Sequence, residues 1–487
     1  MKRFMLCLAL MLGALCAFSE STVRIGIVSD ISSIDPHVAL DTISSAVLYN
    51  VFENLVSFKD DSLDIVPSLA ASWKHSEDWK TWTYDLRKDV KFHDGTPLTA
   101  DVVVASFKDV PNFVATIRKT GEMSVEFTLP SGDAHFNDFL AQPYYAISLP
   151  SLKATGKPYG TGPYIFKSWE KGKRLTIEAN PSWWKGRVKV DQMIFIVYPN
   201  QDALINGLIA REIDLAEWLT SDAVLKLRQY PFLYIETKLG SNTAFLSMNI
   251  LKAPLSNIRV REAIAHAINV VDMARKFFPG ASGAPATTAI PPTLFKTMVK
   301  PTPYDPGLAK RMIEQSGVDV SKPIRLLESW APRPYMPDPH GIAMEIKKYL
   351  EDVGLKVTVQ SDPDNYFPRI RGGDIDMALN GWIADNGDPV EFLAANFHTD
   401  SIGHNNVSRF SNKEFDQIVS RARVQEGYEL KISLTKALEI FRRESPSVPL
   451  FWGAQSAVWN TRIKGYSVHP SSQMFLWNIS VENGAGK

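Results

Sequence analysis

Cysteine is almost absent from this chain. Of its 487 residues only Cys7 and Cys16 are cysteine, and both lie close to the N-terminus. If that segment is removed, the mature protein has no disulfide, no thiolate nucleophile and no cysteine metal site. Charge of one sign is missing too. The 53 Lys and Arg balance 53 Asp and Glu, so no basic field advertises nucleic acid and no acidic run suggests a disordered tail. The nine histidines include no HxH or HExxH pair, which argues against a protein-built metal cage. There is no GxSxG and no serine in a recognisable nucleophile context. Beyond the first residues, no apolar stretch approaches membrane-spanning length.

The N-terminus reads as a signal peptide over residues 1–19. Met1-Lys2-Arg3 is a basic head, Phe4 to Phe18 is apolar, and Ala17-Phe18-Ser19 places small residues before Glu20. A lipoprotein would acylate Cys16, but Leu15 occupies the preceding position, where a small residue is expected. The reading is a soluble exported protein. At 45% hydrophobic, it is long enough for two to four domains or lobes.

In the first half, short strand-like runs alternate with turns. Thr22 to Val28 opens a strand, and Leu40 to Leu55 has helical spacing. Thr99 suits the N-cap of a helix over Ala100 to Phe107. Residues 163 to 170 and 173 to 179 form a strand pair. Among the aromatics, Trp73, Trp79 and Trp82 read as a sheet-surface cluster, and Trp183-Trp184 as packing at a strand junction. His93-Asp94-Gly95 reads as a turn, and His266 as a packing histidine.

The second half has another rhythm. Strands are predicted over Ile324 to Ser329, Leu355 to Val359 and Ile375 to Asn380. Helices ending at Gly354 and at Gly372-Gly373 separate them. This α/β order implies a parallel sheet with right-handed crossovers. Two turns then leave the sheet at one edge: "SWAPRPYMPDP" (329–339) after the first strand and "NGWIADNGDP" (380–389) after the third. Ligands bind at that edge in open α/β sheets. With strand order 2-1-3, the first and third strands are neighbours about 5 Å apart, and Arg333 and Asp385 face one cleft.

Asn386, Gly387 and Pro389 suit neither a continuing strand nor a helix start. Asp385 and Asp388 lie within a single turn, unlike glycosidase carboxylates, which flank the scissile bond from separate elements; a secreted glycoside hydrolase is the remote alternative. Opposite charges at the mouth of a sheet suit a zwitterion about 7 Å long, the span of two extended residues. An α-ammonium fits a carboxylate, and an α-carboxylate fits the fork of arginine. Trp382 is the one tryptophan expected to face the cleft. Alternatively, both charges are solvated surface groups.

The stretch "LAASWKHSEDWKTWTYDLRKDVKFHDGTPLTADVV" (69–103), with "GTGPY" (160–164), "NPSWWKG" (180–186) and "RVREAIAHAIN" (259–269), resembles the peptide- and nickel-binding solute receptors of ABC importers. "RPY" (333–335) and "GWIADNGDP" (381–389) resemble the dipeptide-binding branch. The resemblance implies an α/β, two-lobed periplasmic-binding-protein fold, type II-like, with an extra small subdomain in lobe one and two hinge crossovers. Lobe one would span 20–249, with a reduced subdomain around 61–160. Lobe two would span 250–455, and 456–487 would return to lobe one. The chain would cross near Ala244 to Asn249 and again near Gln455 to Asn460.

Carried over residue by residue, Asp385 takes the peptide amino terminus and Arg333 the carboxyl terminus. Tyr335, Gly381 and Trp382 border them, while Asp388 and Asn386 hold the turn around Asp385. Lobe one would contribute Ala39 and Thr42, from the stretch Pro36 to Thr42. No metal and no cofactor are implied. The partners would be a short peptide and the importer's permease, with a monomeric, periplasmic receptor. A longer oligopeptide, glutathione, haem or a nickel chelate remain alternative ligands. The region between Ser106 and Gly160 is shorter than usual for the family.

Overall fold

The computed structural model describes residues 21–39, 41–384 and 386–482. The leader read at 1–19 lies outside the described residues. So do Leu40 and Asp385.

Ten strands form a continuous path in the main sheet. Their order by residue range is 357–360, 324–327, 377–383, 242–248, 447–460, 215–217, 22–27, 192–197, 174–179 and 164–170. The fourteen-residue strand Ser447–Asn460 joins its two halves. At one end, Ser447 to Phe451 pair with Ala244 to Ser247; beyond Gly453, Ala454 to Asn460 pair with Leu233 to Leu239. The exchange of partners falls at Gly240–Ser241 and near Gly453, a few residues before the crossing points expected. The Gly240 amide donates to the Gly453 carbonyl (3.0 Å), which ties the two crossings together.

A separate four-stranded antiparallel sheet (Ala70–His75, Thr81–Leu86, Ser124–Thr128, Thr116–Gly121) packs on the helix Ala100–Phe107. It has its own core, built on Trp82, Tyr84, Val103, Phe107 and Phe127. Thr99 is the N-cap of that helix, as its hydroxyl accepts from the Val102 amide. Trp79 and Trp82 meet as a tilted pair 5.7 Å apart. Among the described residues no helix is long and apolar enough to cross a membrane.

One helix is shorter than its spacing predicts. It runs from Thr42 to Leu48, capped by Asp41, and not on to Leu55. The reason is long-range. The carbonyls of Asn50 and Val51 accept from the Tyr164 and Gly162 amides (3.0 Å each), so they cannot continue an i→i+4 ladder. Any Cβ on Gly160 or Gly162 would collide with Val51. Next along the chain, Glu53 is buried and accepts from Thr161 (2.9 Å), Trp183 (3.2 Å) and Trp184 (2.8 Å). Burial raises its carboxyl above the usual range, against the pull of Lys185. Arg261 is likewise buried, donating to the carbonyls of Leu255 and Glu444. Residues of the motifs GTGPY, NPSWWKG and RVREAIAHAIN thus make buried contacts within the framework of the fold.

Candidate functional site

The strands Ile324–Leu327, Val357–Gln360 and Met377–Ile383 lie in the spatial order second, first, third, and they are parallel. Leu327 pairs with Ala378, so the turns that follow both strands leave the sheet at one edge. The third strand runs past Asn380, because Gly381, Trp382 and Ile383 pair antiparallel with Ala244, Thr243 and Asn242. Trp382 is therefore a strand residue, half-buried.

The Arg333 turn is closed by a pair of hydrogen bonds. The Arg333 amide donates to the Met336 carbonyl (3.0 Å) and the Met336 amide to the Arg333 carbonyl (2.8 Å). It sits on the long strand at Gly453, where any Cβ would overlap the Pro334 carbonyl. Tyr335 is buried with its ring against Gly381, a position where a Cβ would strike that ring. Burial raises the Tyr335 phenol above its usual value. The Arg333 guanidinium lies 4.3 Å over the Trp330 ring. Among the described residues no carboxylate forms an ion pair with it.

Arg333, Tyr335, Gly381 and Trp382 line one cavity of about 290 Å³. A second, of about 260 Å³, opens on the other side of Arg333, toward Trp218, Ser221 and Gln455. Ala39 and Thr42 line neither. Ala39 is 1% exposed within the lobe-one core, and Thr42 begins a helix on the surface.

The acidic turn differs from its expectation. Pro389 does begin a helix, Pro389–Phe397, and Asp388 is its N-cap, accepting from the Val390 amide at 2.7 Å. Proline at the first helical position suits a cap, since its missing N–H would have had no partner there. Asp388 is buried, and its Oδ1 lies 3.6 Å from Nδ1 of His135, which comes from the small antiparallel-sheet region. Burial pushes the Asp388 carboxyl up to about 6, partly countered by His135. Asp133 and Asp138 are also raised by burial, Asp138 further by its neighbours Asp388 and Asp133. Asn386 is buried and accepts from the Asp388 amide at 3.3 Å. These residues fasten the turn to the helix and to His135.

Trp330, Phe367 and Asn396 also line the Arg333 cavity, and the sequence reading did not single them out. The signal was available for Phe367. The second strand, Val357–Gln360, exits at the same edge, so the short helix Tyr366–Gly372 that follows it belongs there too. Asn396 carried no such signal, because it lies inside the helix that Asp388 caps.

Residues 64–404 match the family described as bacterial extracellular solute-binding proteins, family 5 Middle. Heme-binding protein A of Haemophilus influenzae is 28% identical, with 89% of this chain and 87% of that protein covered. The dipeptide-binding protein of Escherichia coli is 27% identical, over 90% of each. The structure of HbpA2 from Haemophilus parasuis superposes with a TM-score of 0.89 at 24% identity, covering 95% of this chain and all of that one. With its two-lobed α/β fold and a cleft at the carboxyl edge of a parallel sheet, this chain belongs to the family 5 bacterial extracellular solute-binding proteins.

Proposed function

We propose that this protein is the extracytoplasmic receptor of an ABC importer, capturing dipeptides and tripeptides between its lobes and delivering them unaltered to the permease. It acts as a monomer in the periplasm, after removal of the leader 1–19. Lobe one runs to Gly240 and resumes beyond Gly453, with lobe two between them, a division supported by the pairing of Asn242–Met248 with Met377–Ile383. One observation carries the reading: the guanidinium of Arg333 lacks a carboxylate partner among the described residues. It stands at the sheet edge where the strand leading to Asp385 also ends. A cation left open in a concave site suits a ligand carboxylate. In this reading Asp385 receives the α-ammonium and Arg333 the α-carboxylate. The strands that precede the two anchors, Ile324–Leu327 and Met377–Ile383, are neighbours in one sheet, so hinge closure does not change the spacing of those strands.

The relatives named for dipeptides support this reading. A second reading, haem, is supported by the relative named for haem. Calorimetry with dipeptides, their N-acetylated and C-amidated forms, and tri- and tetrapeptides separates the two from each other when a haem titration followed by visible absorbance is run alongside. Dipeptides should bind best, tripeptides next, and tetrapeptides far more weakly, since each added residue moves the carboxylate by about 3.4 Å. Acetylated and amidated peptides should both bind poorly. Tight haem binding with no response to peptides would reverse the assignment, and steady release of free amino acids would indicate an enzyme.

A further inference from the structure

Two large rings stand open in the wall of the cavity beside Arg333. Trp330 is 37% exposed and Phe367 is 42% exposed, with their rings tilted and 5.7 Å apart. The groups over them are guanidinium groups: Arg333 lies 4.3 Å from the Trp330 ring and Arg371 lies 5.5 Å from that of Phe367. Apolar rings left uncovered in a concave site mark a contact surface. The buried ring of Tyr366 completes this wall, held by its hydroxyl donating to the Leu379 carbonyl at 2.8 Å.

Amides share the same cavity. Asn396 is 3% exposed and donates its side-chain nitrogen to the Phe392 carbonyl at 2.8 Å. Asn380 accepts from the Ser247 hydroxyl at 2.7 Å through its side-chain oxygen. Each amide therefore has its other end, Oδ1 of Asn396 and Nδ2 of Asn380, without a hydrogen-bond partner among the described residues. An acceptor and a donor are thus available in a pocket that is otherwise walled by rings.

We infer that this cavity receives the side chain of the ligand's C-terminal residue and selects an aromatic ring with a hydrogen-bonding end, as in tyrosine. The inference rests on the dipeptide reading. Arg333 is part of the wall, so the residue whose carboxylate it holds brings its own side chain to that wall. A ring there covers Trp330 and Phe367, and a phenolic hydroxyl can both donate and accept at the asparagines. A purely apolar side chain fills the volume but leaves the amides unpaired, which weakens binding.

The test is calorimetry with Ala-Tyr, Ala-Phe, Ala-Ala and Tyr-Ala on the full chain and on its Phe367→Ala and Trp330→Ala variants, with circular dichroism to verify folding. Ala-Tyr should bind about 10- to 100-fold more tightly than Ala-Ala, and about 3- to 10-fold more tightly than Ala-Phe. Either variant should shrink the ratio between Ala-Tyr and Ala-Ala to about threefold or less. Equal binding of Ala-Tyr and Ala-Ala would overturn the inference while leaving the dipeptide reading intact. So would a preference for Tyr-Ala over Ala-Tyr, or an unchanged ratio in both variants. If none of the four peptides binds, the dipeptide reading falls and this one with it.

Discussion

The two turns at the carboxyl edge of the parallel sheet handle charge in opposite ways. The turn after the first strand presents Arg333 to the cavity, stacked on a half-open tryptophan, with no carboxylate partner among the described residues. The turn after the third strand draws Asp388 inward, where it caps a helix and faces His135. One charge is displayed and the other is used in structure. Sequence spacing alone does not distinguish the two, because both are charged residues in proline-bearing turns. Burial does: Asp388 is 2% exposed, while Arg333 is only half-buried.

The largest expected effect lies on the displayed side. Arg333→Ala should weaken dipeptide binding by roughly 30- to several-thousandfold, about 2–5 kcal/mol, if the guanidinium pairs with the carboxylate in a dry cleft. Its melting temperature should barely move, because the turn is closed by backbone hydrogen bonds. A small loss of affinity, equal for amidated and free peptides, would erase the contrast between the two turns.

A second substitution sharpens the comparison by moving the display without altering its charge. Gly453→Ala places a methyl group against the Pro334 carbonyl. Overpacking of this kind destabilises by about 1–3 kcal/mol, unless the turn shifts away. Either denaturant unfolding should register the loss, or dipeptide affinity should fall as Arg333 moves with its turn. Neither changing would mean that the turn does not depend on this seat.

The smallest expected effect concerns the inward charge. Asp388 titrates near 6 in the folded chain, against about 3.9 in an unfolded one. Between those values the folded state holds more protons, so stability falls as pH rises through that window. Asparagine remains neutral and is also a good N-cap. Asp388→Asn should therefore gain stability relative to the parent as pH rises from 4 to 7, by on the order of 1–2 kcal/mol. Asp388 is one of the neighbours that raise Asp138, so in the variant Asp138 moves back toward the usual carboxylate range and adds to the advantage at higher pH. An Asp388→Asn advantage that is the same at both ends of that range would show that the carboxyl is not held protonated.

Local patterns carried most of the architecture into view. The N-cap at Thr99, the strand pair beginning at Tyr164 and the strand–helix–strand order of the second lobe all rest on short-range chemistry, and each lies where its pattern predicts. The parallel order and the shared exit edge follow from those elements, because right-handed crossovers leave few arrangements. Patterns at helix ends were less decisive. The helix after Asp41 stops at Leu48 because distant amides take its carbonyls, and Pro389 begins a helix because Asp388 can cap it.

By itself, the sequence determined the α/β class and the pair of turns at the cleft, since hydrophobic period, caps and crossover handedness act between near neighbours in the chain; the family was legible only through the resemblance of stretches such as 69–103 and 381–389. Only the tertiary structure decided what each side chain does there. His135 meets Asp388 across more than half the chain, and the Arg333 turn rests on Gly453 of a strand far along the sequence. Phe367 and Trp330 come together from separate crossovers to leave their rings open. Such contacts arise from packing whole elements, and burial, which sets both the Asp388 carboxyl and the exposure of those rings, is a property of the assembled fold and not of any segment within it.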